Sequence, residues 1–146
     1  MKASKQLIEA IKGFETLHLE VYRCPAGVLT IGYGHTSNIP SKRISEWQAN
    51  KLLEHDLAIC EQQVNNLRLN LNQGQFDALV DFVFNLGISR LKSSTLLKYI
   101  KRCPESDLVG KEFERWIYAN GVALDGLKKR RAWEKERYYS EFCRLF

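Results

Sequence analysis

The chain has 146 residues, of which 45% are hydrophobic and 27% charged, and a formal net charge of +5. That length suits one domain with a core of its own, and the composition excludes disordered and fibrous classes. Its apolar runs last only a few residues, far below the roughly 20 needed to cross a bilayer, so no stable membrane insertion is expected.

In chain order, the opening MKASKQLIEAIKGFE interrupts every apolar pair with Lys2, Lys5, Glu9, Lys12 or Glu15. It lacks the apolar core of a secretory signal, so the chain is expected to start in the cytoplasm. Leu7, Ile8, Ile11 and Phe14 recur at helical steps behind Ser4, a suitable N-cap. Glu15 lies four residues after Ile11 and eight after Leu7, on the apolar stripe. A carboxylate there faces either a core or a cleft.

From Val21 to His35 the pattern changes. Pro25 and Gly27 supply a turn, Leu29, Thr30, Ile31 and Tyr33 read as strand, and Gly32 and Gly34 permit close backbone approach. This predicts a hairpin or a small three-stranded sheet. Asn38 to Ser45 reads as loop, and Ser45 with Glu46 as a helix start. Leu53, Leu57, Cys60, Val64 and Leu67 then step by four and three, which predicts one helix of about twenty residues able to bridge two lobes. A buried central helix follows, capped near Asn72 or Gln73, apolar at Phe76, Leu79, Val80, Val83 and Phe84, and closed by Gly87. Helical patterns at 93–102 and 105–119 are separated by Pro104, and a last helix runs from about Leu127 to Phe142. The fold class is α+β: a small N-terminal antiparallel sheet lobe joined by a long helix to a helical lobe. One domain, 1–146, is expected, with sublobes at about 1–45 and 46–146. Clefts form at such junctions, and both Glu15 and the hairpin fall there.

Cys24, Cys60, Cys103 and Cys143 contain no close pair of the kind a zinc site requires. No metal or other cofactor is expected, and the thiols are expected to be free in a reducing compartment. The segment KKRRAWEKER, 128–137, holds six bases against two acids and places most of the positive excess near the C-terminus. Two readings stay open: a solvated helix face, or a patch for a polyanion such as nucleic acid or an anionic cell wall.

Glu15, Cys24 and Thr30 form the pattern E-x8-C-x5-T, followed by the rest of TIGYGHT, 30–36. This resembles the active-site signature of the phage-type lysozymes, glycoside hydrolase family 24, in which a Glu is followed after eight residues by Asp or Cys and after five more by Thr. QFDALVDFVFNLG, 75–87, resembles that family's core helix, and GLKKRRAWEKERY, 126–138, its closing segment. The resemblance implies a lysozyme-like fold and hydrolysis of the β-1,4 bond between N-acetylmuramic acid and N-acetylglucosamine. It implies bacterial peptidoglycan as the partner, with no nucleic acid and a monomeric chain. Such an endolysin waits in the host cytoplasm until the membrane is permeabilised.

The chemistry of the residues agrees. Cleaving a glycoside requires a proton on a poor leaving oxygen, so Glu15 must hold one near neutral pH, which partial burial favours. A second group stabilises the oxocarbenium-like transition state or activates water. Most members of the family have Asp there; Cys24 is the weaker stabiliser unless its pKa is lowered, and it leaves a covalent route open. Thr30 would orient the attacking water, as the resemblance implies. Phe84 and Asn85 would line the saccharide cleft, or else serve as a core side chain and a helix end. His35 reads as a satisfied or salt-bridged histidine, and Glu20 as surface. Three other activities remain: a lytic transglycosylase, a Cys24/His35 hydrolase of peptide bonds, and a non-catalytic wall- or nucleic-acid-binding domain.

Overall fold

A computed structural model describes residues 1–142; Cys143 lies outside the described residues. Helix α1 spans Lys5–Glu15, with the Ser4 hydroxyl accepting from the Leu7 amide as N-cap. Leu7 and Ile11 are fully buried, each contributing about 1.5–3 kcal/mol through burial. The helix stops at Thr16, whose φ of 46° is rare for a β-branched residue. Glu15 is therefore the last residue before a sharp change of direction.

Strands β1, His18–Arg23, and β2, Leu29–Gly32, form the expected antiparallel hairpin. Among the described residues this sheet has no full third strand. The segment near Arg43 runs beside β1, where the Val21 amide donates to the Lys42 carbonyl and the Ile44 amide to that of Leu19, both at 2.9 Å. Glu20 is exposed, as expected, and pairs with Arg43.

Helix α2, Glu46–Asn65, opens on a capping box between Ser45 and Gln48. It packs on β2 and also on helix α3, Gln73–Leu86, and so touches both parts of the molecule. A second capping box, Asn72 with Gln75, opens α3, and the backbone turns at Gly87 with φ 93°. The stretch Gly74–Val83 is buried throughout. Helix α4, Ile88–Lys92, was not expected; it is five residues long and has no side-chain cap. Helices α5, Thr95–Arg102, and α6, Asp107–Glu114, follow on either side of Pro104. The expected helix 105–119 ends early, because Tyr118–Ala119 (β3) and Val122–Ala123 (β4) form a second small hairpin. Helix α7, Asp125–Tyr139, packs on α3 and α6.

The last helix also departs from the expected surface face. Arg130, Arg131, Glu134 and Tyr138 are buried, and three arginines of α7 reach polar residues spaced by four along α3. Arg137 pairs with Asp77, Arg130 with Asp81, and Arg131 donates to Asn85 Oδ1 at 2.8 Å. Asp77 and Asp81 are fully buried, and only such pairing makes a buried carboxylate tolerable.

Candidate active site

Glu15 closes α1 with its side chain 22% exposed. Its Oε1 accepts from Arg130 Nη1 at 2.7 Å. The same guanidinium grips Asp81 through Nε and Nη2 at 2.9 and 2.8 Å and stacks 5.0 Å from the centroid of Phe14. Burial opposes the charge on Arg130, but Asp81 and then Glu15 more than offset this, so it is a permanent cation. Burial would likewise raise the Asp81 carboxyl, and the Arg130 guanidinium holds it below the usual carboxylate range. The surroundings of Glu15 are thus polar on one side, rather than the uniformly dry crevice that an apolar helix stripe suggests.

The other side of Glu15 meets backbone. Gly34 has φ +76°, and a Cβ placed there would lie 2.6 Å from Glu15 Oε2. Only glycine lets the turn after β2 approach the carboxylate so closely. The glycine at 34 therefore has a site-specific reason.

Cys24 follows directly on β1, and its amide donates to the Val28 carbonyl at 2.9 Å, closing the turn. The residue is half-buried. Hydrogen bonding to the Val28 backbone holds its pKa below the ordinary thiol value. Burial works against this, while the Ala26 backbone, the Thr30 hydroxyl and the residue's own amide add to it. Thr30 is 3% exposed, and its hydroxyl donates to the Val28 carbonyl at 3.0 Å. Tyr22 is the cross-strand partner of Thr30. Paired across the two strands, Tyr22 and Thr30 share a face, and Cys24 lies just past the end of β1. The Tyr22 phenol is raised by burial, then by the charges of Glu15 and Cys24, which places it within electrostatic reach of both.

His35 is 5% exposed, its Nδ1 is 2.8 Å from Asp56 Oδ2, and its backbone bridges to Ile31. It is a buried histidine hydrogen-bonded to Asp56 rather than to Cys24, and its Nε2 has no partner among the described residues. Phe84 shares a cavity of about 200 Å³ with Gly34, His35, Asp56 and Cys60, one glycine away from Glu15. Asn85 is turned to Arg131, its carbonyl oxygen already engaged. Among the described residues no group of three or more His, Cys, Asp or Glu side chains could hold a metal ion.

The structure thus packs Gly34 against Glu15 and sets the same glycine with Phe84 in a cavity that Glu15 does not line, with Cys24 and Thr30 on the adjoining hairpin. Sequence reasoning missed Arg130 and Asp81. The available signal was the spacing of Asp77, Asp81 and Asn85, three polar residues at four-residue steps inside an otherwise apolar helix.

Comparisons with known proteins show the family and the fold. The sequence model for phage lysozyme matches residues 12–134. An endolysin of Acyrthosiphon pisum secondary endosymbiont phage 1 is 38% identical over 146 residues, covering 96% of this chain and 99% of its own. An endolysin of Bacillus phage PZA is 37% identical over 145 residues, and the chain spans only 56% of that relative's length. Among solved structures, the muramidase domain of SpmX from Asticaccaulis excentricus superimposes with a TM-score of 0.84 at 36% identity, covering 94% of this chain and 97% of that one.

Proposed function

The chain belongs to the phage lysozyme family, and on that footing we propose that it is an endolysin hydrolysing the β-1,4 bond between N-acetylmuramic acid and N-acetylglucosamine in peptidoglycan, with host lysis as the outcome. The observation that carries this reading is the position of Glu15 where the hairpin meets the helices, with Oε2 against a Gly34 backbone that leaves no room for a side chain.

Glu15 is the general acid. Its Oε1 accepts a hydrogen bond from a group that only donates, so the transferable proton sits on Oε2. That oxygen faces the Gly34 turn, on the side shared with Phe84. Once the proton has left, Arg130 stabilises the carboxylate without moving. Cys24, its thiolate favoured by the turn amides, supplies negative charge beside the developing oxocarbenium ion. Thr30 holds the water that attacks the anomeric carbon through a lone pair of its hydroxyl, whose proton is on Val28. Attack by water from the face opposite the leaving group, with its proton passing to the Cys24 thiolate, inverts the anomeric centre. Phe84 offers an apolar surface to a sugar ring, and Asn85, its Oδ1 engaged by Arg131, has an amide N–H with no partner among the described residues.

No helix among the described residues is long and apolar enough to cross a membrane. In our reading a single copy of the enzyme waits in the host cytoplasm and meets the wall after permeabilisation.

The deciding experiment digests purified peptidoglycan with wild type and Glu15→Gln and identifies the muropeptides by mass spectrometry. Reducing-end products from wild type alone support hydrolysis. Products lighter by one water, carrying 1,6-anhydro ends, overturn it in favour of a transglycosylase.

A further inference from the structure

The sequence places the positive excess in 128–137, but folding consumes that charge. Arg130 serves Glu15 and Asp81, Arg131 serves Glu134, Arg137 serves Asp77, Lys135 serves Glu114, and Lys128 lies 3.9 Å from Asp125. Of those six bases, Lys129 alone has no carboxylate within reach among the described residues.

The net charge resides elsewhere. From Phe82 to Pro104 the chain has no Asp or Glu and carries Arg90, Lys92, Lys98, Lys101 and Arg102; the rest holds as many acids as bases. All five cations are exposed, and none pairs with a carboxylate among the described residues. In α5 the core takes Leu96, Leu97 and Ile100, so Lys98, Lys101 and Arg102, spaced i, i+3, i+4, project from the opposite side. In α4 the buried Leu91 is flanked by exposed Arg90 and Lys92. Like charges at these spacings repel, and the fold gains nothing from them.

We infer that the exposed face of α4 and α5 docks a phosphodiester polymer of the cell wall, a polyol phosphate chain, beside the catalytic cleft. The nearby cavity at Ser93, Ser94 and Thr95 is lined by none of the five cations, so the face offers no pocket for a compact anion. A long flexible polyanion instead gains from many weak contacts and the release of its counterions. A membrane surface would call for apolar anchors beside the charge, and none of the exposed large hydrophobic residues lies in this stretch. Nucleic acid bases would call for exposed aromatic platforms, and the only aromatic residue on α5, Tyr99, is half-buried. Because α4 begins just after Phe84 and Asn85, a polymer held there keeps the cleft close to the wall.

The choice of a wall polymer rests on the reading that the enzyme works on peptidoglycan, yet the test needs no turnover. Binding of poly(glycerol phosphate) to the full chain is measured over a salt series. With five contacts, the logarithm of affinity should fall against that of salt with a slope of about −3.5, and Lys98→Gln/Lys101→Gln/Arg102→Gln should reduce its magnitude by about 2. Lys128→Gln/Lys129→Gln should leave the slope unchanged, and the triple variant should cleave polymer-free peptidoglycan like wild type. The inference is overturned if the triple variant keeps the full slope, or if single-stranded DNA of equal charge or vesicles of anionic lipid bind more tightly than the polyol phosphate. A chain that binds the polymer but cleaves no peptidoglycan would instead overturn the proposed hydrolysis.

Discussion

Arg130 Nη1 donates to Glu15 Oε1 at 2.7 Å, joining two residues 115 positions apart. The other edge of the guanidinium is bidentate on the fully buried Asp81. One α7 side chain thus orients the candidate acid and neutralises a core carboxylate.

That dual role predicts a coupled defect. Asp81→Asn removes the bidentate one of the two carboxylate partners of a buried guanidinium and should cost about 3 kcal/mol in a urea titration at neutral pH. Because the Asp81 carboxyl is held below the usual range, its contribution exists above the unfolded-state value, about pH 3.9, and is lost as pH falls through the folded-state one. The stability gap between wild type and variant should therefore narrow in acid. A gap that stays constant with pH would refute this assignment.

Glu15→Gln keeps an acceptor for Arg130 but has no proton to give. Turnover on cell walls should drop by about 10²–10⁴-fold with the thermal melting curve little changed. Retention of activity would place the acid elsewhere.

Gly34→Ala tests the contact on the other oxygen. An alanine there adopts a left-handed φ and pushes its Cβ onto Oε2, so stability should fall by about 1–3 kcal/mol. Displacing the acid by about 1 Å should cost about 10²-fold in turnover. Normal activity in a destabilised variant would show that Glu15 does not depend on this turn.

Cys24 and Cys60 should respond oppositely to alkylation. Burial, then the charges of Asp56, Asp81 and Glu61, push the Cys60 thiol up to about 12, whereas Cys24 is held below the ordinary thiol value. In a Cys103→Ser/Cys143→Ser background, iodoacetamide near neutral pH should modify Cys24 and spare Cys60, as read by peptide mass mapping. The reverse order would contradict the thiolate assignment.

Substitution at 24 tests the role itself. Cys24→Ser removes the charge and should lower turnover by about 10²–10³-fold. Cys24→Asp should retain turnover and carry it to lower pH, because a carboxylate ionises well below a thiol. An Asp variant as inactive as the Ser variant would point to covalent chemistry at sulfur.

Much of the fold is legible from local chemistry. Ser4, Ser45 and Asn72 cap the helices they precede, and Gly87 closes α3, because a cap depends on residues within one turn. Helix α4 and the hairpin at 118–123 escaped notice, since five residues and two-residue strands carry too little periodicity to register. The E-x8-C-x5-T spacing identified the family, and the structure sets Glu15 beside the hairpin that carries Cys24 and Thr30.

The sequence by itself determined the helical stripes, the turn chemistry and the residues available for proton transfer, all of which depend on neighbours close along the chain. Which charges survive at the surface was decided only in three dimensions. The cationic segment of α7 is spent on Asp77, Asp81, Glu15, Glu114 and Glu134, while the exposed excess lies on α4 and α5. The reason is physical: a carboxylate can enter a core only with a cation beside it, and which cation that is depends on how helices far apart in sequence pack together.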